Sequence, residues 1–151
     1  MKITIIAVGK SKASPAEAIG AEYIKRLPWS VEVIEVEEKR PLKPLEKMKS
    51  EGKKILLAIP KGAYPVALDK SGKTWSSREF SKTLEKWFNA GGSHIVFLIG
   101  GPDGLSEAVL EKAPAKLSFG PMTWPHQLAR VMLLEQLYRA FAIAEGHPYH
   151  K

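Results

Sequence analysis

The C-terminal part of the chain is rich in groups able to move a proton or meet a negative charge, His126, Arg139, His147, Tyr149 and His150 among them. Three of the four histidines lie at or beyond position 126, among Arg130, Glu135 and Lys151. The tail His147-Pro148-Tyr149-His150-Lys151 is short and stiffened by its proline. Such a set suits general acid–base work or anion binding. It is a poor metal site, because no carboxylate–histidine spacing matches a helical metal motif, and no metal is expected. The competing reading is an exposed terminus without a role, against which the aromatic Tyr149 weighs. Glu135 and Arg139 are one helical turn apart and can pair. If desolvated, that pair serves either a dimer contact or a site, and the spacing does not choose between them.

A second stretch could hold a ligand. Ile95-Val96-Phe97-Leu98-Ile99 runs into Gly100-Gly101-Pro102-Asp103-Gly104-Leu105-Ser106. The apolar run suits a strand buried on both faces of a parallel sheet, and the carboxyl ends of such strands are where ligands bind. A tight turn without a ligand is the alternative. The dinucleotide fingerprint fails, since Pro102 stands where its second glycine belongs. The turn also lacks a lysine for a polyphosphate. Ser71-Gly72-Lys73-Thr74 looks like the tail of a P-loop, but Ala67 replaces the required first glycine, which argues against an NTPase. A nucleoside ligand such as an adenosyl group, held by backbone and an apolar wall, fits better.

The rest of the chain must position these groups. Its 151 residues make one domain over 1–151, and 44% apolar with 26% charged residues is ordinary for a soluble protein. No run is long enough to span a membrane, and the N-terminus reads as a strand instead of a signal peptide. The absence of cysteine excludes disulfides and thiol catalysis and fits a cytoplasmic location. A formal charge of +7 favours a polyanionic partner such as nucleic acid.

Residues 1–9 read as a strand closed by Gly9. Ser14-Pro15-Ala16-Glu17 opens a helix with a cap, a first-turn proline and a capping box, and Pro28 stops it. Val31 to Val36 alternates with Glu32 and Glu35, as in a half-exposed edge strand. Glu37 to Lys54 reads as a mobile charged connector holding a short helix from Pro44 to Glu51. Ile55 to Ile59 reads as a buried strand, and Pro65 to Asp69 as a short strand before a turn. Ser76-Ser77-Arg78-Glu79 caps a helix with the stripe Phe80, Leu84, Trp87 and Phe88. Asp103 or Ser106 caps a short helix, and Ala115 to Phe119 forms the last strand.

The final helix, from about His126 to Glu145, is apolar nearly all round. Glu135, Gln136 and Arg139 fall on one strip, with Arg130 opposite. Such a helix must be covered on more than one side, which predicts a two-fold homodimer. Alternating strands and helices imply an α/β fold with a mainly parallel sheet flanked by helices.

Several motifs now read together. They are Met1 to Lys10, Leu98-Ile99-Gly100-Gly101-Pro102-Asp103-Gly104-Leu105, Met122-Thr123-Trp124-Pro125-His126, Glu135-Gln136-Leu137-Tyr138-Arg139-Ala140 and Tyr149-His150-Lys151. In type and order they resemble the ribosomal large-subunit pseudouridine N3-methyltransferases of the SPOUT class. The resemblance implies a C-terminal trefoil knot, which no pattern reading would propose. It also implies S-adenosylmethionine as cofactor, ribosomal RNA or the ribosome as partner, and a homodimer. Cofactor positions carried over by it are Leu68, Gly100 and the run Phe119, Gly120, Pro121, Met122, Thr123 and Trp124. His126, Arg139, Tyr149 and His150 would surround the target base, with His150 or His126 nearest the proton that leaves N3. With no residues left for a separate RNA-binding domain, activity on naked RNA should be weak. The rival readings are a non-catalytic basic RNA- or ribosome-binding α/β module and an α/β domain for another nucleoside ligand.

Overall fold

A computed structural model describes residues 1–150. Five parallel strands form one sheet in the order β2-β1-β4-β3-β5. They are β1 (Lys2–Val8), β2 (Ser30–Val36), β3 (Tyr64–Lys73), β4 (His94–Ile99) and β5 (Ala115–Leu117). Helices α1 (Pro15–Arg26), α2 (Pro44–Ala58), α3 (Ser77–Ala90), α4 (Glu107–Lys112) and α5 (His126–Ala144) alternate with them.

The two-residue period of the strands sorts the core into two layers. Ile3, Ile5 and Ala7 of β1, with Ile95, Phe97 and Ile99 of β4, face Leu133, Leu134 and Leu137 of α5 and Trp87 of α3. Ile6, Val8, Val96 and Leu98 point the other way, to Ile55 of α2 and Val109 of α4. Helix α5 packs between α1 and α3. This explains much of its apolar girth within one chain.

The local signals are expressed with small departures. Ser14, Ser76 and Ser106 cap α1, α3 and α4, each accepting the backbone N–H three residues on. The box at α3 is complete, whereas Glu17 reaches past its cap to the Ala13 N–H at 3.1 Å. Strand β2 is indeed at an edge. In β3, Leu68 and Lys73 both oppose Leu117, so residues 69–72 loop out of register.

One element is corrected. Ile55 to Ala58 is not a strand but the end of α2, which runs on from Pro44 well past Glu51. A short apolar run suits either element. Here Glu51, Gly52 and Ile55 are buried while Leu57 is 88% exposed, a helical spacing of inward residues. Nothing interrupts that spacing until Pro60. The connector before α2 is also held down: the buried Glu38 carboxylate accepts from Arg40 Nε at 3.0 Å, from Nη2 at 3.2 Å and from the Ser50 hydroxyl.

Candidate active site

Parallel strands bring distant loops to one edge. Leu68 is in register with Ile99, the residue before Gly100, and with Leu117, two residues before Phe119. The three stretches expected to hold a cofactor therefore end side by side at the carboxyl edge, where ligands bind in such sheets. At Gly100 an added Cβ would lie 2.6 Å from the Gly104 carbonyl carbon, so only glycine lets this turn close.

A cleft of about 520 Å³ opens beside that edge, within the range of small-molecule sites. Its lining includes Phe119 and Gly120, Trp75 and Phe80, Tyr23 of α1 and Glu135 of α5. Leu68 and Gly100 lie outside its lining, as do the exposed residues Pro121 to Trp124. Sequence reasoning missed Trp75, Ser77, Gln136 and Tyr23. The Ser77 hydroxyl donates to Gln136 Oε1 at 2.8 Å, tying α3 to α5 across the cleft. It also missed Glu51, which lies buried beneath the turn, its carboxylate 3.5 Å from where a Cβ of Gly101 would stand. Burial, against the pull of Lys47, raises the Glu51 pKa.

At Glu135 the tail folds back onto α5. The Tyr149 hydroxyl donates to Glu135 Oε1 at 3.1 Å and lies 3.5 Å from the Tyr23 hydroxyl. Its ring stands edge-on to Tyr138 at 4.8 Å, with the Arg139 guanidinium 4.9 Å from its centre. Arg139 donates to Glu135 from Nε at 2.9 Å and Nη2 at 2.5 Å. Its Nη1 lies 3.1 Å from His150 Nδ1. A guanidinium only donates, so Nδ1 accepts, and the uncharged ring carries its proton on Nε2. The bond with Tyr23, burial and the Glu135 charge push the Tyr149 phenol far above its ordinary pKa, so it stays protonated.

His126 is elsewhere. Thirteen residues before Arg139, it stands about 20 Å away along α5. Its ring lies against Gly9, where a Cβ would come within 2.8 Å of Cε1, and its Nδ1 is buried without a partner among the described residues. Burial and then the charge of Arg130 lower its pKa, which keeps it neutral at pH 7. Next to it Arg130, 6% exposed, donates from Nη1 to Glu35 and to Ser11, each at 2.6 Å. One chain thus unites Arg139, Tyr149 and His150 and sets His126 apart.

Comparison with known proteins agrees with this architecture. The family model described as "Predicted SPOUT methyltransferase" matches residues 1–150. A protein of Carboxydothermus hydrogenoformans named ribosomal RNA large subunit methyltransferase H is 48% identical over 159 aligned positions, covering 100% of both chains. One of the same name from Paramagnetospirillum magneticum is 46% identical, covering 100% of this chain and 99% of that one. Among solved structures, a probable methylase family protein of Haemophilus influenzae superposes with a TM-score of 0.56 at 14% identity, covering 99% of this chain and 70% of that one. A probable methyltransferase from Bordetella pertussis gives 0.56 at 13% identity, covering 92% and 94%. These two likenesses concern the fold. With a family model spanning residues 1–150 and relatives of this identity over the full length, the chain belongs to the SPOUT methyltransferase family.

Proposed function

We propose that this protein, as one domain over its whole length, methylates N3 of a pseudouridine in large-subunit ribosomal RNA with S-adenosylmethionine as donor. It works as a cytoplasmic homodimer whose C-terminal part is threaded in a trefoil knot. The observation that carries the reading is the tail cluster of Arg139, Tyr149 and His150, anchored on Glu135, which lines the same cleft as Phe119 and Gly120.

The cofactor suits the residues present. Leu68, Gly100 and Phe119 to Trp124 supply backbone groups at one sheet edge, and the adjoining cleft is largely apolar. When bound there, S-adenosylmethionine supplies an electrophilic methyl group.

The imide N3–H of a pseudouridine is a weak nucleophile until its proton leaves, here to solvent water, and the resulting anion spreads onto the flanking carbonyl oxygens. Arg139 is the cation beside that charge, held in place by two bonds to Glu135. His150 Nε2–H is the second donor, and its tautomer makes it a stabiliser of the oxygen anion in preference to a base. Tyr149 orients the group by packing between Tyr138 and Arg139 and does not ionise. His126 joins the target base only if the partner subunit presents it, because its own chain keeps it at the other end of α5.

Mass spectrometry of ribosomal RNA from cells lacking the gene tests the reading. The expected result is the loss of one methyl group from a large-subunit pseudouridine, restored by the wild-type gene. Unchanged RNA contradicts it and leaves the non-catalytic basic module as the better account.

A further inference from the structure

A second surface is built from the segment that sequence alone reads as a solvated connector. Residues 10–12 with 37–54 contain nine of the 23 cations and only four of the 16 acids, and so hold most of the net charge of +7. These loops follow β1 and β2, whose carboxyl ends lie at the same sheet edge as Gly100. Lys10 Nζ lies 3.5 Å from Glu37, which joins the two loops.

The connector is organised by a buried acid. Glu38, with only 4% of its side chain exposed, takes Arg40 and the Ser50 hydroxyl, and lies 3.5 Å from Lys54. The bonds from Arg40 and then Ser50 keep its carboxylate far below the usual range, so it stays charged. The loop is thereby pinned to α2, and a groove of about 490 Å³ forms between them. Lys39, Arg40, Lys53 and Lys54 outnumber Glu37 and Glu38 in its lining, which also includes the exposed Leu57. Glu38 compensates Arg40 and Lys54. Among the described residues no carboxylate lies within 4 Å of Lys39 or Lys53, and both are exposed.

We propose that this groove between residues 37–40 and α2 receives the phosphate backbone of the substrate RNA, with Lys39 and Lys53 as the contacting cations. Lysine ammoniums in a groove attract a polyphosphate chain whatever its sequence, releasing its counterions. Leu57 offers the ribose face an apolar contact. The groove gives a chain this short a hold on RNA away from the reacting base. The inference rests on the proposed ribosomal RNA substrate and adds where that RNA lies.

The test is a salt titration of binding to large ribosomal subunits and to a generic RNA duplex. It compares the wild type with K39E/K53E and with K82E/K86E, the same reversal on the exposed face of α3. S-adenosylmethionine affinity is measured alongside to show that the fold is intact. The groove variant should lose about tenfold or more in affinity for both RNAs, with its salt slope shallower by about two, while the α3 variant stays near wild type. Wild-type affinity and slope in K39E/K53E overturn the groove and leave the methyltransferase reading standing. Equal losses in both variants overturn it too, since they report net charge alone. Loss on subunits without loss on the duplex overturns it in favour of an acidic protein partner. Loss on both RNAs in an enzyme whose absence leaves ribosomal RNA unchanged supports the groove and removes the substrate reading.

Discussion

Helix α5 carries two arginine–glutamate pairs, nine residues apart, and they do different work. Arg130 is buried and pairs with Glu35, 95 positions away on the edge strand, while also binding Ser11. Arg139 keeps 27% of its side chain exposed and pairs with Glu135 one turn before it on the same helix. The first bond closes the fold across the sheet, with Nη2 turned to the Gly9 carbonyl and Nε buried without a partner among the described residues. The second presents an oriented cation at a rim, with His150 attached. The same two residue types make a clamp in one place and the proposed site in the other, and the difference lies in the burial of the arginine and in the separation of the partners.

Four changes would break or sharpen this contrast. The largest effect is expected from Arg139→Ala, which removes the cation beside the developing anion. Turnover on large subunits should fall about 10²–10³-fold, while stability falls by about 1–2 kcal/mol, because Glu135, 19% exposed, keeps Tyr149 and Gln136 as donors. Single-turnover kinetics beside thermal melts would show both. Arg130→Ala should reverse the pattern. It leaves Glu35 without its partner and costs about 2–3 kcal/mol by urea unfolding, below the ~3–5 of a fully buried pair because Glu35 is partly in water. The rate per folded molecule should change far less than in Arg139→Ala.

The third change is in pH. Burial pulls the Glu35 carboxyl upward, but its bonds to Arg130 and Ser11 outweigh that, and its pKa lies below the ordinary 4.5. A lowered carboxylate pKa contributes stability that is present above the unfolded value and lost as pH falls through the folded one. Wild-type stability should therefore decline below about pH 4.5 more steeply than that of Arg130→Ala, as acid titration of urea midpoints would reveal. Parallel curves would mean the buried pair is not the clamp described. The smallest effect is expected from Tyr149→Phe, which removes the donor to Glu135 but keeps the ring beside Arg139. It should cost about 1 kcal/mol in stability and slow methylation only several-fold. A loss as large as that of Arg139→Ala would mean that the hydroxyl touches the reacting base.

The contrast also marks what a sequence can disclose. The Glu135–Arg139 pair was legible, because its spacing is local to one helix. So were the buried strand β4, the capping serines and the stripe of α3, all written in short-range patterns. The Arg130–Glu35 clamp was not, since nothing local says which distant strand a lone arginine will meet. Nor was the fold-back of the tail, where Tyr149 reaches Tyr23 across 126 positions. The end of α2 was misread because a run such as Ile55-Leu56-Leu57-Ala58 suits two kinds of element, and only packing distinguishes them. The candidate site was half legible. Residue types and motif order pointed to Arg139, Tyr149 and His150 together, but His126 was grouped with them by nearness in sequence, which a helix of nineteen residues does not preserve.

The central claim is that the tail end of α5 is where methyl transfer happens. Single-turnover methylation of large ribosomal subunits by Arg139→Ala, with S-adenosylmethionine affinity and melting temperature measured on the same preparation, tests it most directly. The account predicts a rate about 10²–10³-fold below wild type, with cofactor affinity unchanged and a melting temperature lowered by only a few degrees. A wild-type rate in that variant would contradict it.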